Sequence, residues 1–153
     1  MPVLVVGADT PVGQEIVTEL LDREGDVRTF VSDPAAGESF KQRGAKVAVG
    51  DPSDDSHIEG AATQAFSAVM ITGCLRDGRE LSFAESPDAV MDRWAQALRS
   101  AKVRRVIWVL DPETTLDSSW AAATPEHSVL HEGERSAAAL AKEVALLDEA
   151  TSL

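Results

Sequence analysis

Val3-Leu4-Val5-Val6 is a run of four apolar residues closed by Gly7, after which Val12, Ile16, Val17, Leu20 and Leu21 recur at helical spacing up to Gly25. This predicts strand, turn, helix, and the pattern then repeats. Residues 27–31 read as a second strand, 34–43 as a helix, 47–49 as a third strand, 58–65 as part of a helix and 68–72 as a fourth strand. After a loop over 73–86, Val90, Met91, Trp94, Leu98 and Ala101 form an apolar helical stripe, and 106–110 is a fifth strand. Each strand is almost continuously apolar, which a parallel sheet covered by helices on both faces requires. Right-handed crossovers then give an α/β, doubly wound parallel sheet of strand order 3-2-1-4-5, forming one three-layer domain over residues 1–153. Residues 111–133 mix Pro, Thr, Ser, His and Glu without a period and read as a long loop beyond the carboxyl end of strand five, where ligand crevices form. A last helix over 134–150 places Leu140, Val144 and Leu147 on one face. On this reading Trp94 is core and Trp120 is an exposed contact or lid. Strand five is an open edge that a second copy or another protein would cover, with the outer helices as a second such surface.

Composition narrows the function classes. The chain is 44% hydrophobic and 26% charged, and no apolar run approaches the roughly 18 residues that span a bilayer. Met1 to Val6 runs straight into a strand pattern without a basic segment and cleavage site, so the expected location is cytoplasmic. The single cysteine, Cys74, reads as a small apolar residue. A net charge of −12, with no basic stretch longer than Arg104-Arg105, argues against nucleic acid and anionic membranes as partners. It also opposes any bound phosphate, which must therefore rely on local backbone donors.

The turn after strand one supplies a candidate for such donors. Gly7 and Gly13 hold the first and last places of a GxxGxxG spacing, and Thr10 holds the middle one. Thr10 is suited to cap the following helix and Pro11 to its first position, Val12 follows, and the free N–H groups of this helix start favour an anion. Here "GADTPVG" resembles the "GATGPVG" turn of the atypical short-chain dehydrogenase/reductase group, the NmrA-like NAD(P)-binding proteins. The resemblance extends along the chain: "VRTFVSDP" is similar to that group's second strand, "GAKVAVGDPSDDSHIEGA" to its third strand and the Asp near adenine, and "ALRSAKVRRVIWVL" to its "AAKAAGVKRVVYVS". It implies a Rossmann-like domain that binds NAD or NADP, in a short form lacking the C-terminal substrate lobe. Two departures weaken the phosphate site: Asp9 brings a carboxylate into the turn, and Thr10 adds a branched side chain where backbone meets ligand. Ser32 stands where NADP-preferring relatives carry Arg, and Asp33, about 20 residues past Gly13, is placed to bond a ribose 2′-hydroxyl, so NAD is favoured over NADP. Asp33 also suits a turn, and Asp51, the candidate adenine contact, also suits a helix cap. Thr72 and Gly73, ending strand four, would face the ribose.

Catalytic relatives are implied to use a Tyr four residues before a Lys on the last helix. Lys142 takes the Lys place, Ala138 the Tyr place, and the chain contains no Tyr at all. Asp111 stands where the group's Ser often follows strand five. His127 and His131, four apart with Glu126, Glu132 and Glu134 nearby, would share a metal if helical; the weak helical pattern favours a polar loop and no metal. Asp111 with Asp117 is a candidate acid/base pair. No catalytic residue is assigned. The leading reading is a non-catalytic sensor, regulator or accessory subunit with a weakened dinucleotide site, and the alternatives are an NAD(P)-dependent reductase or epimerase and a pure interaction module.

Overall fold

Alternate residues along each strand point to opposite faces of the sheet, and their apolar character decides which helices cover which face. In β1 (Val3–Val6), Leu4 and Val6 join one core cluster and Val3 and Val5 the other. The computed structural model describes residues 1–23 and 25–153. After β1 come α1 (Pro11–Leu21), β2 (Val27–Val31), α2 (Pro34–Gln42), β3 (Lys46–Val49), α3 (Asp55–Ala62) and β4 (Ser67–Ile71). A single 3₁₀ turn (Thr72–Leu75) leads by a loop to α4 (Pro87–Ser100), then β5 (Arg105–Leu110), α5 (Ser118–Ala121), β6 (Glu126–His131) and α6 (Ala137–Glu149). All strands pair in parallel in one six-stranded sheet of order β3-β2-β1-β4-β5-β6. Helices α3 and α4 pack on one face around Ile58, Met91, Trp94 and Trp108; α1, α2 and α6 pack on the other around Ile16, Val17, Phe40 and Val144. The result is a single Rossmann-like α/β domain. No helix among the described residues is long and apolar enough to cross a membrane.

The expected order 3-2-1-4-5 holds for the first five strands, but the predicted 111–133 loop contains two elements. α5 and the sixth strand β6 lie there, so β5 is not an edge; β3 and β6 are. β6 escapes the apolar signal because its sequence is Glu-His-Ser-Val-Leu-His and only Leu130 is buried. Charged and imidazole side chains on a short edge strand also discourage pairing with another chain. His127 and His131 lie four residues apart on this strand, about 13 Å along it, and so do not converge on one ion as they would on a helix. Trp94 is core as expected, with its indole N–H donating to the Pro52 carbonyl at 2.7 Å. Trp120 is not the exposed lid expected of a loop residue: it is 9% exposed, packs in the α3–α4 cluster, and donates to the Asp92 carboxylate at 2.6 Å.

Candidate functional site

The chain leaves β1 through Gly7, whose φ of +83° favours glycine. Thr10 then fixes the start of α1. Its hydroxyl donates to the Gly7 carbonyl at 2.7 Å and accepts from the Gly13 N–H at 3.0 Å, and Pro11 follows at the first helical position. This is the predicted cap, with a consequence the sequence did not reveal. Thr10 uses the Gly13 donor and Pro11 has none, so Val12 supplies the N–H left open in the first turn of the helix. Gly13 lies so close beneath the turn that a β-carbon on it would sit 2.3 Å from the Gly7 carbonyl oxygen.

Beside this turn, across the carboxyl ends of β1 and β2, opens a cleft of about 490 Å³ bordered by Asp9, Gln14, Ser32, Asp33, Asp77 and Arg79. Such crevices at the carboxyl end of a doubly wound sheet are where ligands bind. The Asp9 carboxylate does not hang unbalanced over the turn, as its sequence position suggested. One oxygen accepts from the Ser32 and Asp33 N–H groups at 2.9 and 3.2 Å, and the other accepts from the Arg79 guanidinium at 2.7 Å. Arg79 also bonds Asp77 at 2.6 Å and the Ser32 hydroxyl at 3.2 Å. Burial alone would lower the Arg79 pKa, but bonds to Asp77 and Asp9 outweigh it and hold the guanidinium firmly charged. Arg79 was not singled out from the sequence; the Asp-Gly pair before it marks a turn, but only the fold brings that turn over β2.

The other predicted contacts do local work as well. Asp33 caps α2 by accepting from the Ala35 N–H at 2.9 Å. Asp51 ties the end of β3 to the loop before α4, accepting from the Ser53 N–H and hydroxyl at 2.8 and 2.6 Å and from the Ser82 N–H at 2.7 Å. Burial raises its pKa, and these bonds bring it below the ordinary carboxylate range. Asp33 borders the cleft while capping its helix, whereas Asp51 does not line it and braces a turn, the cap of α3 being Asp54. Cys74 is fully buried, and burial pushes its thiol pKa up.

A third group stands at the carboxyl ends of β4, β5 and β6. The Thr72 side chain is fully buried and turned toward β5: its hydroxyl donates to Asp111 at 2.5 Å and accepts the Asp111 N–H at 2.9 Å. The hydroxyl expected at the ribose is thus engaged with the end of β5. Burial pushes Asp111 up, but hydrogen bonds from Thr114, Thr72 and the Glu113 N–H, together with nearby Arg76, bring its pKa below the usual range. Asp117 caps α5 instead of completing an acid/base pair. Glu132, at the end of β6, has the opposite character: burial and then the charge of Asp111 raise its carboxyl pKa. Its oxygen closes over Gly73, where a β-carbon would be 3.2 Å away, and with Pro11 and Val12 it borders a second opening of about 130 Å³ beside the turn. The sequence offered Glu132 only as a metal neighbour, because the strand that positions it was not legible. Lys142 and Ala138 are both exposed on α6.

Comparison with known proteins bears on the family and the fold. A sequence model of a family described as NAD(P)H-binding matches residues 7–146. No curated protein matches the chain in sequence. Among solved structures, the anaerobilin reductase ChuY from Escherichia coli O157:H7 is 16% identical, with 99% of this chain and 92% of that chain covered at a TM-score of 0.71. A Rossmann-fold NAD(P)-binding family protein from Shigella flexneri is 15% identical, with coverage of 97% and 86% and a TM-score of 0.70. The Citrobacter sp. triphenylmethane reductase complexed with NADP(H) is 14% identical at a TM-score of 0.66; 86% of this chain covers 49% of that one, so the chain spans about half its length. At these identities the likeness is one of fold.

Proposed function

The chain belongs to the NAD(P)H-binding family, and on that premise we propose that it binds a nicotinamide dinucleotide across the carboxyl ends of β1, β2 and β4 as a sensor, regulator or accessory subunit. The observation that carries this is the turn from Gly7 to Gly13, packed backbone against backbone, with an open Val12 N–H and a cleft at its side. The residues fit the group: Val12 N–H at the start of α1 suits the pyrophosphate, Asp9, Ser32 and Asp33 border the place for the adenosine ribose, and Asp51 and Gly73 stand at the flanks. A nicotinamide held there supplies or accepts hydride. The non-catalytic part of the reading is supported by the absence of tyrosine from the chain, the exposure of Lys142, and the four-bonded, ionised Asp111. Thermal unfolding with millimolar NAD, NADH, NADP and NADPH tests it. At about a hundred times the dissociation constant, a ligand of the folded state adds about 2.7 kcal/mol and raises the midpoint by about 5–10 °C. A protein that unfolds cooperatively yet shifts with none of the four leaves the interaction module in place of this reading.

A second reading, an NAD(P)-dependent reductase, is favoured by one observation. Glu132, its pKa raised, stands beside Gly73 and the turn, where it would deliver the proton that accompanies hydride transfer. If a quinone or aldehyde substrate oxidises NADH or NADPH in the presence of this protein, Glu132→Gln should slow turnover about a hundredfold and leave the cofactor's thermal shift intact. Unchanged turnover in that variant removes Glu132 from the reaction.

A further inference from the structure

We propose that Asp9 is a built-in anion occupying the place of a cofactor 2′-phosphate at the carboxyl end of β2, so that the cleft takes the free ribose of NAD(H) and rejects NADP(H). This rests on the dinucleotide reading above. Two successive backbone N–H groups, from Ser32 and Asp33, and the Arg79 guanidinium, which also donates to the Ser32 hydroxyl, form the kind of donor set that receives a phosphate. Asp9 already satisfies that set from inside the chain, and its side chain is only 6% exposed. The carboxylate comes from the glycine turn, which in sequence is 23 residues away from Ser32. The β2 end thus lacks an Arg of its own and borrows Arg79 from the loop after β4.

Charge counting at the cleft points the same way. Asp9, Asp33 and Asp77 border it with a single guanidinium, and Arg79 is shared between Asp9 and Asp77. A doubly charged phosphate ester entering there would have to displace Asp9 from two N–H groups and an ion pair and then lie beside the displaced carboxylate. A ribose hydroxyl needs neither. It is neutral, and it donates to a carboxylate that is already held in position.

The experiment is calorimetric titration of wild type, Asp9→Ala and Asp9→Asn with NADH, NADPH, 5′-AMP and adenosine 2′,5′-bisphosphate. Wild type is expected to bind NADH at least about tenfold more tightly than NADPH, and 5′-AMP more tightly than the bisphosphate. Asp9→Ala empties the donor set, so NADPH and the bisphosphate should gain about tenfold or more and the preference should vanish or invert. Asp9→Asn keeps an acceptor for Ser32 and Asp33 and removes only the charge; it carries the same test, with a smaller gain, if Asp9→Ala does not fold. Wild type binding NADPH as tightly as NADH, or neither variant gaining affinity for the bisphosphate, overturns the inference. If wild type binds neither dinucleotide while a variant gains the bisphosphate, the dinucleotide reading fails and the assignment of Asp9 to an anion site stands.

Discussion

Arg105→Ala lowers the unfolding free energy by about 3–5 kcal/mol in chemical denaturation, whereas Arg104→Ala, at the neighbouring position and bonded to the same carboxylate, loses less than about 1 kcal/mol. The difference follows from where each guanidinium sits. Arg105 is fully buried at the start of β5, and Arg104 has a side chain that is 55% exposed. One Arg105 nitrogen donates to the carbonyls of Leu147, Asp148 and Ala150 at 2.8, 3.0 and 2.8 Å, the groups that the end of α6 leaves without helical partners. Another meets Glu126 at 2.8 Å across the β5–β6 pair, and the guanidinium carbon lies 5.1 Å from the centre of the Phe66 ring. Removing it strands several partly buried acceptors at once and detaches α6 from the edge of the sheet. The arginine has its own cost, since its Nε is buried without an acceptor, so the gain must come from the other two nitrogens. Acid unfolding gives an independent readout. The bond from Arg105, then that from Arg104, then the Leu153 N–H hold the Glu126 carboxyl at about 2, against an ordinary 4.5. A carboxyl depressed by folding stabilises fully above its unfolded value and loses that contribution as pH falls through the folded one, here between about 4.5 and 2. Arg105→Ala should flatten the stability curve in that window. Equal and small losses in the two arginine variants would mean that Arg105 does not anchor α6.

How much of this was legible depended on whether the signal was local. The central strands β1, β4 and β5 announce themselves because both of their faces are covered and nearly every position is apolar; β4 reads Ser-Ala-Val-Met-Ile and is buried throughout, and even the edge strand β3 keeps Val47, Ala48 and Val49 in a row. The cap by Thr10 and the proline at the start of α1 are likewise contained within four residues. β6 is different: it is an edge strand like β3 but carries Glu, His, Ser and His with only Val129 and Leu130 apolar, and Glu126 is held in place through Arg105, 21 residues earlier in the chain. The site divides the same way. The glycines of the turn could be read directly, but the partner of Asp9 is Arg79, 70 residues on, and it arrives there only because β1 lies between β2 and β4. A charge that looks unbalanced along the sequence is therefore balanced in space. Glu132 gains its character in the same way, from the neighbouring ends of β4 and β5.

Gly13→Ala should cost about 3 kcal/mol or more and abolish the dinucleotide-dependent rise in unfolding temperature, although it adds a single methyl group and the position is helical. On helix propensity alone the change would be favourable by about 1 kcal/mol. Gly60→Ala, inside α3 with nothing within 4 Å of the added carbon, should show that gain. At Gly13 the new carbon would meet the Gly7 carbonyl oxygen at 2.3 Å and the α-carbon and carbonyl carbon of Ala8 at 2.8 Å, all of them main chain. No rotamer relieves such a clash; α1 and the turn must move apart. That motion stretches the two Thr10 bonds that join Gly7 to Gly13 and displaces the Val12 N–H and Asp9 together, because all of them belong to the same seven-residue turn. Stability and binding are thus expected to fall together at Gly13, whereas Arg105→Ala, at the opposite end of β5, should lower stability and leave the cofactor affinity of the folded protein unchanged. A Gly13→Ala protein with wild-type stability would show that the turn does not require the backbone contact between Gly7 and Gly13. Retained stability with lost binding would place the requirement on the ligand alone.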